Sequence, residues 1–398
     1  MKHLAKLCCI LICSCFMFTS CHEADNPVTP VNPPVTEAYI IGMAKYNSVA
    51  YSELTNYNFV YPSTDPYGHA VMLSGTITMG PEVTKNRPAR GLVLYNHYTI
   101  YKSDECPSLG KLDVQRELQG SGLIIVAPDL YGFGSTEMSQ QAYCMAGPNA
   151  QASIDALIAA KQLLAQLGYS YGDALFNVGF SQGAQTAIGV LRLVSEKYPD
   201  IHFTRTMAGA GPYDLTETYG QLIQQDSKGM SAHALSVLLA YNEFAQLGFS
   251  NAELFNEPVQ SHVNDWLLSK KYKREEIDNF IGEETPLSDC LAPDLLDMES
   301  AVAKRFIAAF EADNLCKGWA PRPEEDILLF HSTADLTVPS SNTDLLYQFL
   351  KDQGVKNVEL IKNQTGSFLG TGAHTFSALY FLSEAKKWFC DYFGIPEW

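Results

Sequence analysis

The chain has 398 residues, with 27 basic against 44 acidic side chains, a formal net charge of −17 and 46% hydrophobic residues. That surplus of negative charge, with no basic stripe, argues against nucleic acid and anionic lipid as partners. The length and apolar content suffice for one catalytic domain with an insertion, and neither Cys-x-x-Cys, His-Glu-x-x-His nor a phosphate-binding glycine loop with lysine occurs, so no metal or nucleotide cofactor is inferred.

At the start of the chain Lys2 and Lys6 precede an apolar run from Leu7 to Phe18, and Phe18-Thr-Ser-Cys21 places small residues before a cysteine, as a bacterial lipobox does. The run is too short for a transmembrane span. Residues 1–20 therefore read as a lipoprotein signal peptide and Cys21 as the lipid attachment site. Residues 21–37, with prolines at 27, 30, 33 and 34, read as an extended tether. A cleaved signal without lipidation is the alternative, and Cys15 after Ser14 is a second possible attachment site. Removing residues 1–20 takes away two lysines and no carboxylate, which makes the mature chain more acidic still. The expected location is an exported lipoprotein at the bacterial outer membrane, touching membrane only through its anchor.

Further along, Gly91 to Asn96 reads as a buried strand leading into His97-Tyr98-Thr99. Asp173 to Val178 reads as another, followed by Gly179-Phe-Ser181-Gln-Gly183 and then by helical spacing from Gln182 to Lys197. Strand, Gly-x-Ser-x-Gly and helix in that order form a nucleophile elbow, in which a side chain at either glycine would collide with the adjoining strand or helix. Ser181 is the candidate nucleophile; a Gly-rich turn with an exposed serine is the bland alternative.

A serine hydroxyl needs a histidine base and an acid that orients the histidine. Asp326 to Phe330 is an apolar strand running into His331-Ser-Thr-Ala-Asp335, which puts Asp335 in the loop past the strand's C-terminal end. Asp326 lies at the wrong end, and Asp344 falls inside the next helix, capped by Ser340 or Ser341. One histidine follows Asp335. It is His374, expected in a loop between the glycine-rich 366–372 and a helix from about 378 to 389. The oxyanion of the reaction needs fixed donors. One is the backbone N–H of Gln182; the second falls in the segment after the earlier strand, at Tyr98 or at His97 or Thr99. His97 itself reads as a structural hydrogen-bonding residue, since it precedes Ser181.

With these motifs the chain resembles the α/β-hydrolases, and within them the secretory lipase and esterase branch with a large lid. Tyr61 to Gly68 followed by Val71 to Thr76 is similar to that family's opening antiparallel strands, Ala127-Pro-Asp129-Leu-Tyr-Gly132-Phe-Gly134 to its Pro-Asp-Tyr-x-Gly loop, and Gly209 to Asp214 to the segment after the next strand. Where members commonly have His-Gly-Thr at the oxyanion loop, this chain has His97-Tyr98-Thr99, and tyrosine enters positive φ less readily than glycine. The resemblance implies an α/β fold with a mostly parallel central sheet and helices on both faces. The core would comprise residues 38–214 and 326–398, and residues 215–325 would form a helical lid with helices near 231–247, 262–281 and 294–314.

Five cysteines (8, 9, 13, 15 and 21) fall in or at the end of the signal, leaving Cys106, Cys144, Cys290, Cys316 and Cys390. An odd number cannot all pair, and free buried thiols are the expectation, with Cys290–Cys316 a conceivable staple. The expected chemistry is hydrolysis of a small-molecule carboxylic ester by Ser181, His374 and Asp335 through an acyl-enzyme. Two other readings stand beside it: a serine peptidase, for which Glu283, Glu284, Asp294 and Asp297 could bind a substrate amine, and a silent surface lipoprotein that only binds a ligand.

Overall fold

Apolar stretches separated by helical ones build a single sheet in the computed structural model, which describes residues 37–48, 51–109, 120–226, 228 and 231–397. The signal peptide, Cys21 and the tether as far as residue 36 lie outside the described residues. The strands are β1 (Tyr39–Ser48), β2 (Tyr51–Thr64), β3 (Ala70–Met79), β4 (Ala89–Asn96), β5 (Leu123–Pro128), β6 (Tyr171–Phe180), β7 (Arg205–Gly209), β8 (Asp326–Ser332) and β9 (Asn357–Asn363). Their order across the sheet is β1-β2-β3-β5-β4-β6-β7-β8-β9. The first three strands pair antiparallel, and β3 meets β5 antiparallel as well; every pairing from β5 to β9 is parallel. Parallel strands require crossovers, and helices on both faces bury them, so β4, β5 and β8 are buried almost throughout.

The two faces of the sheet are covered by different helices. On one face α1 (Ala146–Leu167) and α2 (Gln182–Lys197) pack on Leu92, Leu94, Ile124 and Val126, and α7 (Ser341–Asp352) covers Ile327 and Leu329 of β8. On the other, α8 (Ala373–Phe393) packs Phe381, Ala385 and Phe389 against Val93, Phe176, Phe180 and Phe330. The alternation of Leu92 and Leu94 with Val93 and Tyr95 follows from the two-residue repeat of a strand. Each fully buried Phe contributes about 2 kcal/mol.

Between β7 and β8 the chain leaves the sheet for a helical stretch with its own core. It contains α3 (Leu215–Gln224), α4 (Ser231–Phe244), α5 (Arg274–Ile281) and α6 (Ala301–Ala312), with short turns between them. The expected helices at 262–281 and 294–314 are both interrupted. In the first, a single π turn at Val263–Leu267 is followed by Lys270 at φ +56°, a left-handed residue that ends helical continuation. In the second, Ser300 caps α6 by accepting the N–H of Ala303 at 2.9 Å, so the helix starts there. The core of this stretch, including Leu235, Leu238, Leu291 and Phe306, extends onto Tyr101, Tyr143 and Cys144 of the sheet domain. Cys106, Cys144, Cys290, Cys316 and Cys390 are all free thiols, so Cys290 and Cys316 do not pair.

Candidate active site

The site is built where β6 hands over to α2. Ser181 stands at φ +57°, ψ −125° between them, and its N–H donates to Gly209 O at 2.8 Å. That backbone costs an L-residue about 1–3 kcal/mol. The flanking glycines allow it by contact: a Cβ on Gly179 would lie 2.0 Å from Gly183 O, and one on Gly183 would lie 2.1 Å from Asn96 O.

Ser181 Oγ lies 2.9 Å from His374 Nε2, and His374 Nδ1 lies 2.6 Å from Asp335 Oδ2. Three residues chosen from distant parts of the sequence thus form one hydrogen-bonded line. His374 is not in a loop, however, because α8 begins at Ala373 and the histidine occupies its first turn. The buried stripe Ala373, Ser377, Phe381, Ala385 and Phe389 runs at four-residue spacing, and the small members at its start conceal the helix's beginning from a hydrophobicity pattern. Phe180 packs 5.0 Å from the His374 ring, centroid to centroid, and fixes its plane.

Asp335 is held from both sides. Its Oδ1 accepts the N–H groups of Thr337 at 2.8 Å and Val338 at 3.0 Å. Burial alone would raise its pKa, but the facing His374 and His331 outweigh burial and hold the carboxyl well below the usual carboxylate range. His331 is fully buried; its Nε2 lies 3.0 Å from Val338 O and 3.4 Å from Asp335 Oδ2, and its Nδ1 lies 2.6 Å from Thr343 Oγ1. Both oxygens near Nε2 can only accept, so the proton sits on Nε2 and Nδ1 accepts from the Thr343 hydroxyl. The one mark of His331 in the sequence is its place four residues before Asp335 at the end of β8. Asp344, set aside as an acid, pairs with Lys362 at 2.7 Å. Ser340 is the residue before α7 but caps it with no side-chain hydrogen bond.

The N–H of Gln182, at the start of α2, has no backbone acceptor among the described residues. The side chain of Gln182 accepts the N–H of Cys144 at 3.3 Å. Beyond β4, His97 is fully buried with Nδ1 2.6 Å from Tyr98 O and Nε2 3.1 Å from Asp129 O. Burial pushes its pKa down, against the two carbonyls, which favour the protonated ring. Tyr98 is not among the described residues at positive φ, so tyrosine in place of glycine incurs no left-handed strain. Thr99 Oγ1 and Tyr143 Oη lie 3.0 Å apart. Asp129, in the loop after β5, is buried and accepts from Ser74 Oγ at 2.5 Å and from Ser108 N and Oγ at 2.8 and 2.6 Å.

Ser181, Asp335 and His374 are 8%, 6% and 8% exposed, so the line is covered by protein. Glu283, Glu284, Asp294 and Asp297 all face solvent. Among the described residues no helix is long and apolar enough to cross a membrane.

The sheet order, the elbow and the helices on both faces define an α/β-hydrolase. Residues 110–394 match the model of the family described as secretory lipase, and the chain belongs to that family. No curated protein matches the chain. Solved structures do: the rice cell wall degrading esterase LipA from Xanthomonas oryzae is 19% identical with a TM-score of 0.76, covering 90% of this chain and 99% of that one. Candida antarctica lipase A in its closed state is 14% identical with a TM-score of 0.59, covering 87% of this chain and 82% of that one. At such identities the likeness is one of fold.

Proposed function

We propose that the chain is an exported serine esterase that cleaves small-molecule carboxylic esters through an acyl-enzyme, and the observation that carries the reading is the line Ser181–His374–Asp335. His374 Nε2 accepts the proton of Ser181 as Oγ attacks the ester carbonyl, then returns it to the leaving alcohol. Asp335 keeps the other ring proton on Nδ1 and stabilises the imidazolium that forms. The oxyanion is received by the N–H of Gln182 and by an N–H of the 97–99 segment, at the start of α2 where the helix dipole adds to the attraction. A second turn of the same machinery, with water in place of the alcohol, releases the acid.

Residues 215–325 act as a lid in this reading, since the line is covered and the core of that stretch is built onto Tyr101 and Tyr143. Membership in the secretory lipase family supports export; residues 1–20 as a lipoprotein signal, Cys21 as the acylated residue and 21–37 as the tether complete the proposal, with the enzyme held at the outer membrane. Fluorophosphonate labelling of the mature chain tests the chemistry: wild type should label, Ser181→Ala and His374→Ala should not, and p-nitrophenyl esters of increasing acyl length should then sort esterase from lipase. A wild type that neither labels nor hydrolyses any of these esters would sink the mechanism.

A further inference from the structure

The two oxyanion donors come from different elements: the N–H of Gln182 opens α2, and the other lies in the segment 97–99 past β4. An oxyanion hole works only if both donors stay within about 3 Å of one point. The parallel pairing of β4 with β6 ends at Asn96 and Gly179, so strand pairing reaches neither donor. One further segment touches both sides. Tyr143 Oη, just before α1, lies 3.0 Å from Thr99 Oγ1, and the N–H of the next residue, Cys144, donates to Gln182 Oε1 at 3.3 Å.

This segment is anchored from behind. Tyr143 is buried, its ring packed 6.2 Å from that of Tyr101 and 6.4 Å from that of His233. Tyr241 Oη of α4 lies 3.2 Å from Cys144 O and 2.8 Å from Asp313 Oδ2, and Asp313 accepts the N–H groups of Ala146 at 2.5 Å and Gly147 at 3.1 Å. Between these anchors Cys144 stands at φ +52°, a left-handed backbone that is disfavoured for any residue with a side chain and persists only where the surroundings over-determine it. Burial pushes the Cys144 thiol up to about 12, so the residue serves through its backbone and not as a nucleophile. On the other side His97 Nδ1, 2.6 Å from Tyr98 O, holds the near end of the 97–99 segment, and Tyr143 meets its far end.

We propose that Tyr143 and Cys144 are positioning residues of this site, a brace that sets the distance between the two oxyanion donors: the Tyr143 hydroxyl holds the Thr99 end and the Cys144 N–H holds Gln182. The proposal rests on the ester-hydrolase reading above and deepens it, since it gives control of the donor geometry to residues outside the Ser181–His374–Asp335 line. The oxyanion forms in acylation and again in deacylation. Slackening the brace therefore destabilises the transition state of both steps and leaves ground-state binding as it was, which lowers kcat and not KM.

The test is a double-mutant cycle on Tyr143→Phe and Thr99→Val, read as kcat and KM on p-nitrophenyl butyrate beside the rate of fluorophosphonate labelling. Each single variant removes one hydroxyl and keeps its backbone N–H. Each should lower kcat and the labelling rate about tenfold, as expected for one net hydrogen bond, with KM unchanged. Thr99→Ser, which restores the hydroxyl, should recover most of that loss. The double variant should lose no more than either single one, because both break the same contact. Gln182→Met removes the acceptor of the Cys144 N–H and should show the same fall in kcat at constant KM; it carries the test if Tyr143→Phe or Thr99→Val has no cooperative melting transition. In a wild type that labels at Ser181, the brace alone is overturned by any of four results: undiminished kcat in the folded variants, losses that multiply in the double variant, a change in KM in place of kcat, or Thr99→Ser as slow as Thr99→Val. An unlabelled, inactive wild type overturns the hydrolase reading and this proposal with it.

Discussion

Replacing Asp335 by Asn tests the orientation of His374 with almost no change of shape. The Asn Oδ1 would stay on the N–H groups of Thr337 and Val338, which Asp335 Oδ1 accepts at 2.8 and 3.0 Å, because the opposite orientation would press an NH2 group against two donors. The amide nitrogen is then forced toward His374 Nδ1, where Asp335 Oδ2 now sits at 2.6 Å. It can only donate, so Nδ1 must accept and the ring proton moves to Nε2. That proton points at Ser181 Oγ, 2.9 Å away, and the imidazole can no longer take the serine's proton. A wrong tautomer of this kind lowers kcat by about 10⁴-fold, equivalent to about 5 kcal/mol of barrier. The assay is kcat and KM on p-nitrophenyl butyrate at about neutral pH, beside the rate of fluorophosphonate labelling. KM should stay near the wild-type value. An Asp335→Asn enzyme that keeps a tenth or more of its kcat would refute the reasoning from tautomer to rate.

Three further outcomes follow from the same geometry. Gly183→Ala puts a methyl 2.1 Å from Asn96 O and 2.9 Å from His97 O, so the end of β4 must move; thermal unfolding should show a loss of about 1–3 kcal/mol together with loss of activity, and an unchanged Tm would contradict it. Asp335 has a depressed pKa in the fold, so the stability it contributes is present above the unfolded value near 4 and is lost as pH falls through the folded one. Urea unfolding of wild type and Asp335→Asn should therefore show a margin at pH 6 that shrinks below about pH 4, and a margin independent of pH would count against the ion pair. Lys270 reaches from the helical stretch to the carbonyls of Glu137, at 2.7 Å, and Ser139, and burial pushes its pKa down to about 8 from 10.5. Between those values the unfolded chain binds the extra proton, so stability should rise with pH over that window in wild type and not in Lys270→Met; equal slopes would refute it.

The parts of the fold legible in the sequence are those where one local rule was uncontested. The helix from Gln182 to Lys197 begins directly after the elbow serine and has no competing breaker, and it forms over that span. Continuous apolar runs at Gly91–Asn96 and Asp326–Phe330 read as buried strands because helices cover both of their faces. The helical stretch was harder, since its helices are ended by a left-handed lysine and a serine cap, which hydrophobic spacing does not register. The start of α8 was missed for a similar reason: Ala373 and Ser377 occupy buried positions without being strongly apolar.

For the site, chain order was enough to single out Ser181, Asp335 and His374, the three residues that the structure brings into one hydrogen-bonded line, because a serine elbow, an acid after a later strand and a histidine after that leave few choices. What lay beyond order were the residues that act through contact. His331 is four positions from Asp335, yet nothing in a sequence says that its ring turns inward to Val338 O and the carboxylate rather than out to solvent. His233 is more distant still: it sits on a helix start fixed by Asp278, against Tyr101 from the segment after β4 and Tyr143 from the segment before α1. Its contact with those rings is a product of how the helical stretch packs on the sheet domain, and packing between segments ninety or more residues apart leaves no local trace. A histidine amid small and apolar residues reads as an ordinary helix residue until its neighbours are known.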